Sequence, residues 1–171
     1  MGTTKARILV IDDETIVHES CNRILTEEGY SIDSAYTGQE GFSKIEQGSY
    51  DLVITDLKMP GISGMEALKK IKDDNPDIGI IMVTGYSTAE TAVEAMKLGA
   101  FDYLPKPFTP DELITVVTKA LEKKKVLLET KHLESAYQDA TKAISSSLNL
   151  NEVLDLIVKS VVNLLGLKGC G

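Results

Sequence analysis

Short aliphatic runs alternate with longer mixed stretches along the first 110 residues. The runs fall at Arg7–Ile11, Ser31–Ala35, Leu52–Thr55, Gly79–Val83 and Asp102–Leu104. Three of them (ILVI, LVIT and IIMV) are near-continuous in aliphatic and β-branched residues, as expected for parallel strands buried on both faces. Each intervening stretch is long enough for one helix. Strand and helix in strict alternation predict a parallel sheet with right-handed crossovers.

Helix boundaries are written in the same pattern. Thr37–Glu40, Ser63–Glu66, Ser87–Glu90 and Thr109–Glu112 each fit a capping box, S/T-x-x-E, and Pro110 suits a first helical position. Gly29, Gly48 and Gly99 follow helical stretches and are expected as left-handed caps. Asn75-Pro76 closes the third helix. Five β/α units result, ending near residue 122.

Beyond Gly99 no glycine occurs until Gly166, and beyond Pro110 no proline. The segment from Asp111 to about Ser145 is therefore predicted as one long helix. Leu113, Val117, Ala120 and Leu121 suit packing on the sheet. Leu133, Ala136, Ala140, Ala143 and Ser147 give a weak coiled-coil step with small residues. After Ser145-Ser-Ser, a second helix is expected, with Leu150, Val153, Leu154, Ile157, Val161, Leu164 and Leu165 on one face. That face reads either as one helix of an incomplete core or as a dimerisation surface.

Composition narrows the class. A hydrophobic share of 43% can supply a core for one domain plus something smaller. No window approaches a membrane span, and the early run Ile8–Ile11 ends in two aspartates, so it is no signal-peptide core. A cytoplasmic location is expected. Cys21 and Cys170 lack metal-ligand spacing and read as free thiols. Residues 1–110 hold 18 acidic and 10 basic residues, while residues 111–171 hold 8 of each, so the whole net charge of −8 belongs to the first part. Neither part is basic, and no nucleic-acid partner is expected.

The polar residues at the strand ends carry the chemistry. Asp12 and Asp13 follow the first strand, Asp56 the third, Thr84 the fourth and Lys106 the fifth. In an open parallel sheet such positions converge in one crevice. Clustered carboxylates favour a hard dication, and magnesium, with its oxygen ligands and retained waters, suits them. An aspartate can attack phosphorus to form an aspartyl phosphate, with a lysine ammonium neutralising charge. The Thr84 hydroxyl can bond a phosphoryl oxygen.

The stretches ILVIDDE, DLVITDLKMPGISGMEALKKI, IIMVTGYS and KLGAFDYLPKPF closely resemble the receiver domain of bacterial response regulators over residues 5–122. The resemblance implies a doubly wound, flavodoxin-like α/β fold with a five-stranded sheet of order 2-1-3-4-5, extended by C-terminal helix. It implies Asp56 as phosphoacceptor. It implies Mg2+ held by Asp13, Asp56 and the backbone carbonyl of Lys58, with Asp12 acting indirectly. Lys106 would bind the phosphoryl group before a cis peptide to Pro107, and Thr84 and Tyr103 would form the switch pair. A sensor histidine kinase or phosphotransfer protein is the implied donor. The segment from Ala143 to Gly166 resembles the opening helix of a GAF domain. The expected organisation is a receiver at 1–122, a linker helix at 123–145 and an incomplete GAF-like helix at 146–171, as in a fragment of a longer protein. A homodimer through the C-terminal helices is the second partner expected.

Two alternatives stand beside this reading. One is the N-terminal part of a hybrid sensor histidine kinase. The other is a magnesium-dependent phosphatase, which wants an aspartate two residues beyond its nucleophile, where this chain has Lys58. Lys58 and Tyr86 otherwise read as exposed loop residues, and Phe101 and Phe108 as core. His18 and His132 lie in predicted helices with no ligand partner nearby and read as structural or exposed. Glu122–Lys125 reads as a solvated helix face.

Overall fold

Why the aliphatic runs become strands is visible in how they are buried. The computed structural model describes residues 5–85, 88–147 and 158–160. Its elements are β1 (Arg7–Ile11), α1 (Thr15–Glu27), β2 (Ser31–Ala35), α2 (Gly38–Gln47), β3 (Leu52–Thr55), α3 (Gly64–Asp74), β4 (Gly79–Thr84), α4 (Ala89–Lys97), β5 (Asp102–Pro105) and α5 (Pro110–Ser147). All residues of β3 and β4 are buried. The five strands form one parallel sheet of order β2-β1-β3-β4-β5, the flavodoxin-like order expected. Two compact units, Met1–Leu128 and Glu129–Gly171, make up the chain.

Side-chain alternation along each strand splits the first unit's core in two. Leu9, Ile11, Val53, Ile80 and Met82 face one side, where Phe42 and Ile45 of α2, Leu68 and Ile71 of α3 and Ala95 of α4 pack on them. Ile8, Val10, Ile54, Ile81 and Val83 face the other, against Val17, Cys21 and Leu25 of α1 and Leu113 and Val117 of α5. Gly41 lets α2 approach closely: a Cβ there would lie 2.5 Å from Cδ1 of Ile11.

The helix boundaries follow the sequence signals with four differences. Ser63 and Glu66 form the full capping box on α3, and Thr109 and Glu112 exchange the same two bonds at α5. At α2 the Thr37 side chain accepts from the Glu40 amide, but the Glu40 carboxylate takes the Tyr36 amide rather than that of Thr37. At α4 the cap is Thr88, boxed with Thr91, one residue past the expected Ser87; Ser87 itself lies outside the described residues. Gly29 and Gly99 adopt positive φ, but Gly48 is extended (φ −143°), because the chain runs straight on toward β3 instead of reversing. Gly61, in the loop after β3, is a third positive-φ glycine that the helix-end pattern does not flag.

Register places the site. Ile11 pairs with both Ala35 and Thr55, Thr55 with Met82, and Thr84 with Pro105. The residues that follow the strands therefore leave the sheet at one end, the carboxyl end of the parallel strands. At the opposite, amino end of the strands Asp51 accepts from the Arg7 amide (3.0 Å) and from Lys124 Nζ (2.7 Å), which fastens α5 to the start of β3. In the second unit, every described side chain from Glu129 to Lys142 is exposed. Residues 158–160 are helical; the rest of the helix expected from Leu150 to Leu165, and with it the GAF-like segment, lies outside the described residues.

Candidate phosphoryl site

Four strand ends deliver the site. Asp12 follows β1 directly and is held by its own backbone: its amide donates to the carbonyl of Ala35 (3.1 Å). Its Oδ1 accepts from the amide of Glu14 (2.9 Å), at the entry to α1. Asp56 follows β3, its amide bonded to the carbonyl of Ile11 (3.1 Å) and its Oδ1 to the amide of Lys58 (3.1 Å). Thr84 ends β4 and is fully buried. Lys106 follows β5, and its amide donates to the Thr84 carbonyl (2.8 Å), which fixes the origin of the long side chain. The Lys106–Pro107 peptide is cis.

Lys106 Nζ closes the arrangement. It lies 2.7 Å from Asp12 Oδ2 and 2.9 Å from Asp56 Oδ2, joining residues 94 and 50 positions away. Glu14 Oε1 stands farther out, at 3.5 Å. Both aspartates are buried, Asp12 at 1% exposure and Asp56 at 5%. Burial lifts the Asp12 carboxyl above its ordinary value, and the nearby Asp56 adds to the push; the hydrogen bonds from Lys106 and from the Glu14 amide pull against it without winning. Burial alone would lower the Lys106 ammonium, but hydrogen bonds to Asp12 and Asp56 outweigh it and hold the group above its ordinary value.

Asp13, exposed at the rim, completes the acidic group. One carboxylate oxygen each from Asp12, Asp13 and Asp56 lie within 4.8 Å of one another. Three carboxylates against the one ammonium leave a formal charge of −2, and every donor is oxygen. That donor set fits a hard dication such as magnesium and suits no soft metal.

Tyr103 is partly buried against the α2–α4 side of the core. Its hydroxyl is 3.3 Å from Oγ1 of Thr91, the residue that boxes the α4 cap. Tyr86 lies outside the described residues. Three contributors were not legible beforehand. Glu14 looks like part of a helix entry rather than a neighbour of Lys106. Thr91 is displaced from the expected box. Gly64 supports Asp56 directly: a Cβ there would fall 2.0 Å from the Asp56 carbonyl oxygen and 2.6 Å from Leu57 Cα. The only sequence signal for Gly64 is its place just after the Ser63 cap.

The sheet order and the strand-end acids are those of a receiver domain, and comparison with known proteins gives the same family. The response regulator receiver domain family matches residues 8–118, and the chain belongs to that family. The transcriptional regulatory protein FixJ of Bradyrhizobium diazoefficiens is 32% identical over 162 residues, 94% of this chain and 78% of FixJ. The transcriptional regulatory protein ZraR of Salmonella typhimurium is 40% identical over 117 residues, 68% of this chain but 26% of ZraR. A crystal structure of a response regulator receiver domain protein from Clostridium thermocellum, 40% identical, superposes with a TM-score of 0.67 over 71% of this chain and 98% of that one. Among the described residues no helix is long and apolar enough to cross a membrane.

Proposed function

We propose that the chain is a phosphoacceptor switch in which Asp56 takes a phosphoryl group from a phosphohistidine on a sensor kinase or phosphotransfer protein. The observation that carries this reading is the partly buried ammonium of Lys106 shared between the buried carboxylates of Asp12 and Asp56 at the ends of three strands. An Asp56 oxygen forms the bond to phosphorus while the phosphorus–nitrogen bond of the donor imidazole breaks. The departing nitrogen takes the electron pair and then a proton. Lys106 pairs with the incoming phosphoryl oxygens, and the Thr84 hydroxyl donates to one of them. Asp13, Asp56 and the Lys58 carbonyl would hold magnesium, with Asp12 acting indirectly, and the bound ion would supply charge neutralisation for the transfer.

The added charge, about −1.5 to −2 for a phosphoryl group, draws Thr84 toward it. Tyr103 then repacks, and its bond to Thr91 gives α4 a stake in that movement. The receiver at 1–122 passes the change through the linker helix at 123–145 to the GAF-like segment at 146–171. FixJ and ZraR are named as transcriptional regulators, which is a statement about those proteins. The acid excess here supports a protein partner rather than nucleic acid for these residues.

The test is modification by a small-molecule phosphodonor with magnesium, read by intact mass. The wild-type chain gains one phosphoryl group and the Asp56→Asn chain gains none. Equal modification of both sinks the assignment.

A further inference from the structure

His18 is a buried, polar and titratable side chain of the first helix that the phosphoryl chemistry does not use. It sits on the α1 face that otherwise buries Val17, Cys21, Ile24 and Leu25, at 3% exposure. An aliphatic residue would pack there without desolvating two ring nitrogens. What the imidazole gains in return is a single hydrogen bond: Nε2 lies 2.7 Å from the backbone carbonyl oxygen of Asp12. A carbonyl has no proton to give, so Nε2 is the donor. Nδ1 is buried with no hydrogen-bond partner among the described residues. The ring is steadied instead by Tyr36, whose centroid lies 4.3 Å away, and Tyr36 is tied through its amide to Glu40 of α2. The side chain thus spans from the β2–α2 connection to the peptide that joins Asp12 to Asp13.

That peptide sets where both acids point. The Asp12 side chain is held from Lys106 and from the Glu14 amide, but Asp13 is exposed, and its approach depends on the plane of the bond before it. We propose that His18 is a positioning residue for the cation site: by gripping the Asp12 carbonyl it orients the Asp12–Asp13 peptide so that the Asp13 carboxylate meets those of Asp12 and Asp56. The inference rests on the reading of this acidic group as a magnesium site. Outer-shell donors of this kind commonly change metal affinity by about 10- to 100-fold when removed.

The test uses three full-length chains: wild type, His18→Gln and His18→Leu. Gln can place an amide N–H near the position of Nε2, whereas Leu fills the space without a donor. Magnesium binding is measured by titration calorimetry well below the unfolding temperature, and thermal unfolding is followed separately without magnesium. The expected result is a loss of magnesium affinity of about tenfold in His18→Leu, with most of it recovered in His18→Gln. A purely structural role would lower the unfolding temperature of His18→Leu and leave its magnesium affinity equal to wild type, and that result overturns the proposal. So does an equal loss in both variants. Failure of the wild-type chain itself to bind magnesium would instead overturn the parent reading of the acidic group, and this inference with it.

Discussion

Asp12 is the residue on which opposing forces are most nearly matched. Its folded value lies above the ordinary one, so the folded chain holds that proton more tightly than the unfolded chain does. Its contribution to stability is present below the unfolded value and lost as pH rises through the folded one. Without magnesium, Asp12→Asn is therefore expected to flatten the fall in stability across the mildly acidic range, as denaturant midpoints taken at a series of pH values will show. An unchanged slope would mean that Lys106 fully compensates the charge. Gly64 makes a different demand. Gly64→Ala forces a methyl into the Asp56 carbonyl, and overpacking of this kind costs about 1–3 kcal/mol. The variant is expected to lose stability by that amount and to take up phosphoryl more slowly; wild-type rates would show that the Asp56 loop yields freely. The acids, Thr84 and Lys106 could be read from the sequence because each follows an aliphatic run. Gly64 and His18 could not, since their roles arise from contacts with the backbone of residues 8 and 6 positions away, which no residue-type pattern encodes.

Among the elements, α4 and α5 connect the site to the rest of the chain. The α4 cap rests on Thr88 and Thr91, and Thr91 also meets Tyr103. Thr88→Ala is expected to cost about 1 kcal/mol and to speed amide exchange in the first turn of α4, and phosphorylation should change exchange in that same turn. Protection that is identical with and without phosphodonor would remove α4 from the switch. The fastening of α5 is the Asp51–Lys124 pair. Burial alone would raise the Asp51 carboxyl, but the hydrogen bonds from Lys124 and the Arg7 amide hold it below its ordinary value. That contribution is present above the unfolded value and lost as pH falls through the folded one. Lys124→Met is expected to loosen residues 121–128 in hydrogen exchange at neutral pH and to change little in strong acid. Strand positions were legible to within a residue, and for β1, β3 and β4 the reason is that continuous burial leaves a continuous apolar run. The α4 cap was misplaced by one residue because Ser87-Thr88 offers two adjacent hydroxyls, and only the helix register chooses between them. Gly48 misled for a related reason: a glycine after a helix permits a left-handed turn without requiring one.

For the molecule as a whole, the candidate phosphoryl site lies at the carboxyl ends of the strands and the Asp51–Lys124 fastening at their amino ends. Leu133 and Tyr137 of α5 are both 74% exposed, on the segment where a homodimer contact is expected from the sequence. Sedimentation of the full chain is expected to show a rise in mass on phosphorylation; a constant mass with the receiver fully modified would exclude a phosphorylation-driven dimer. Alternating strands and helices imply a parallel sheet, its order comes from the receiver resemblance, and the output is not written in residues 1–122. Everything proposed for the chain depends on which carboxylate carries the phosphoryl group. Borohydride reduces an acyl phosphate to an alcohol and so marks the modified aspartate as homoserine. After reaction with phosphodonor and magnesium, peptide sequencing is predicted to find homoserine at position 56 alone. Homoserine at position 12 or 13, or a phosphorylated chain with none, would contradict the account.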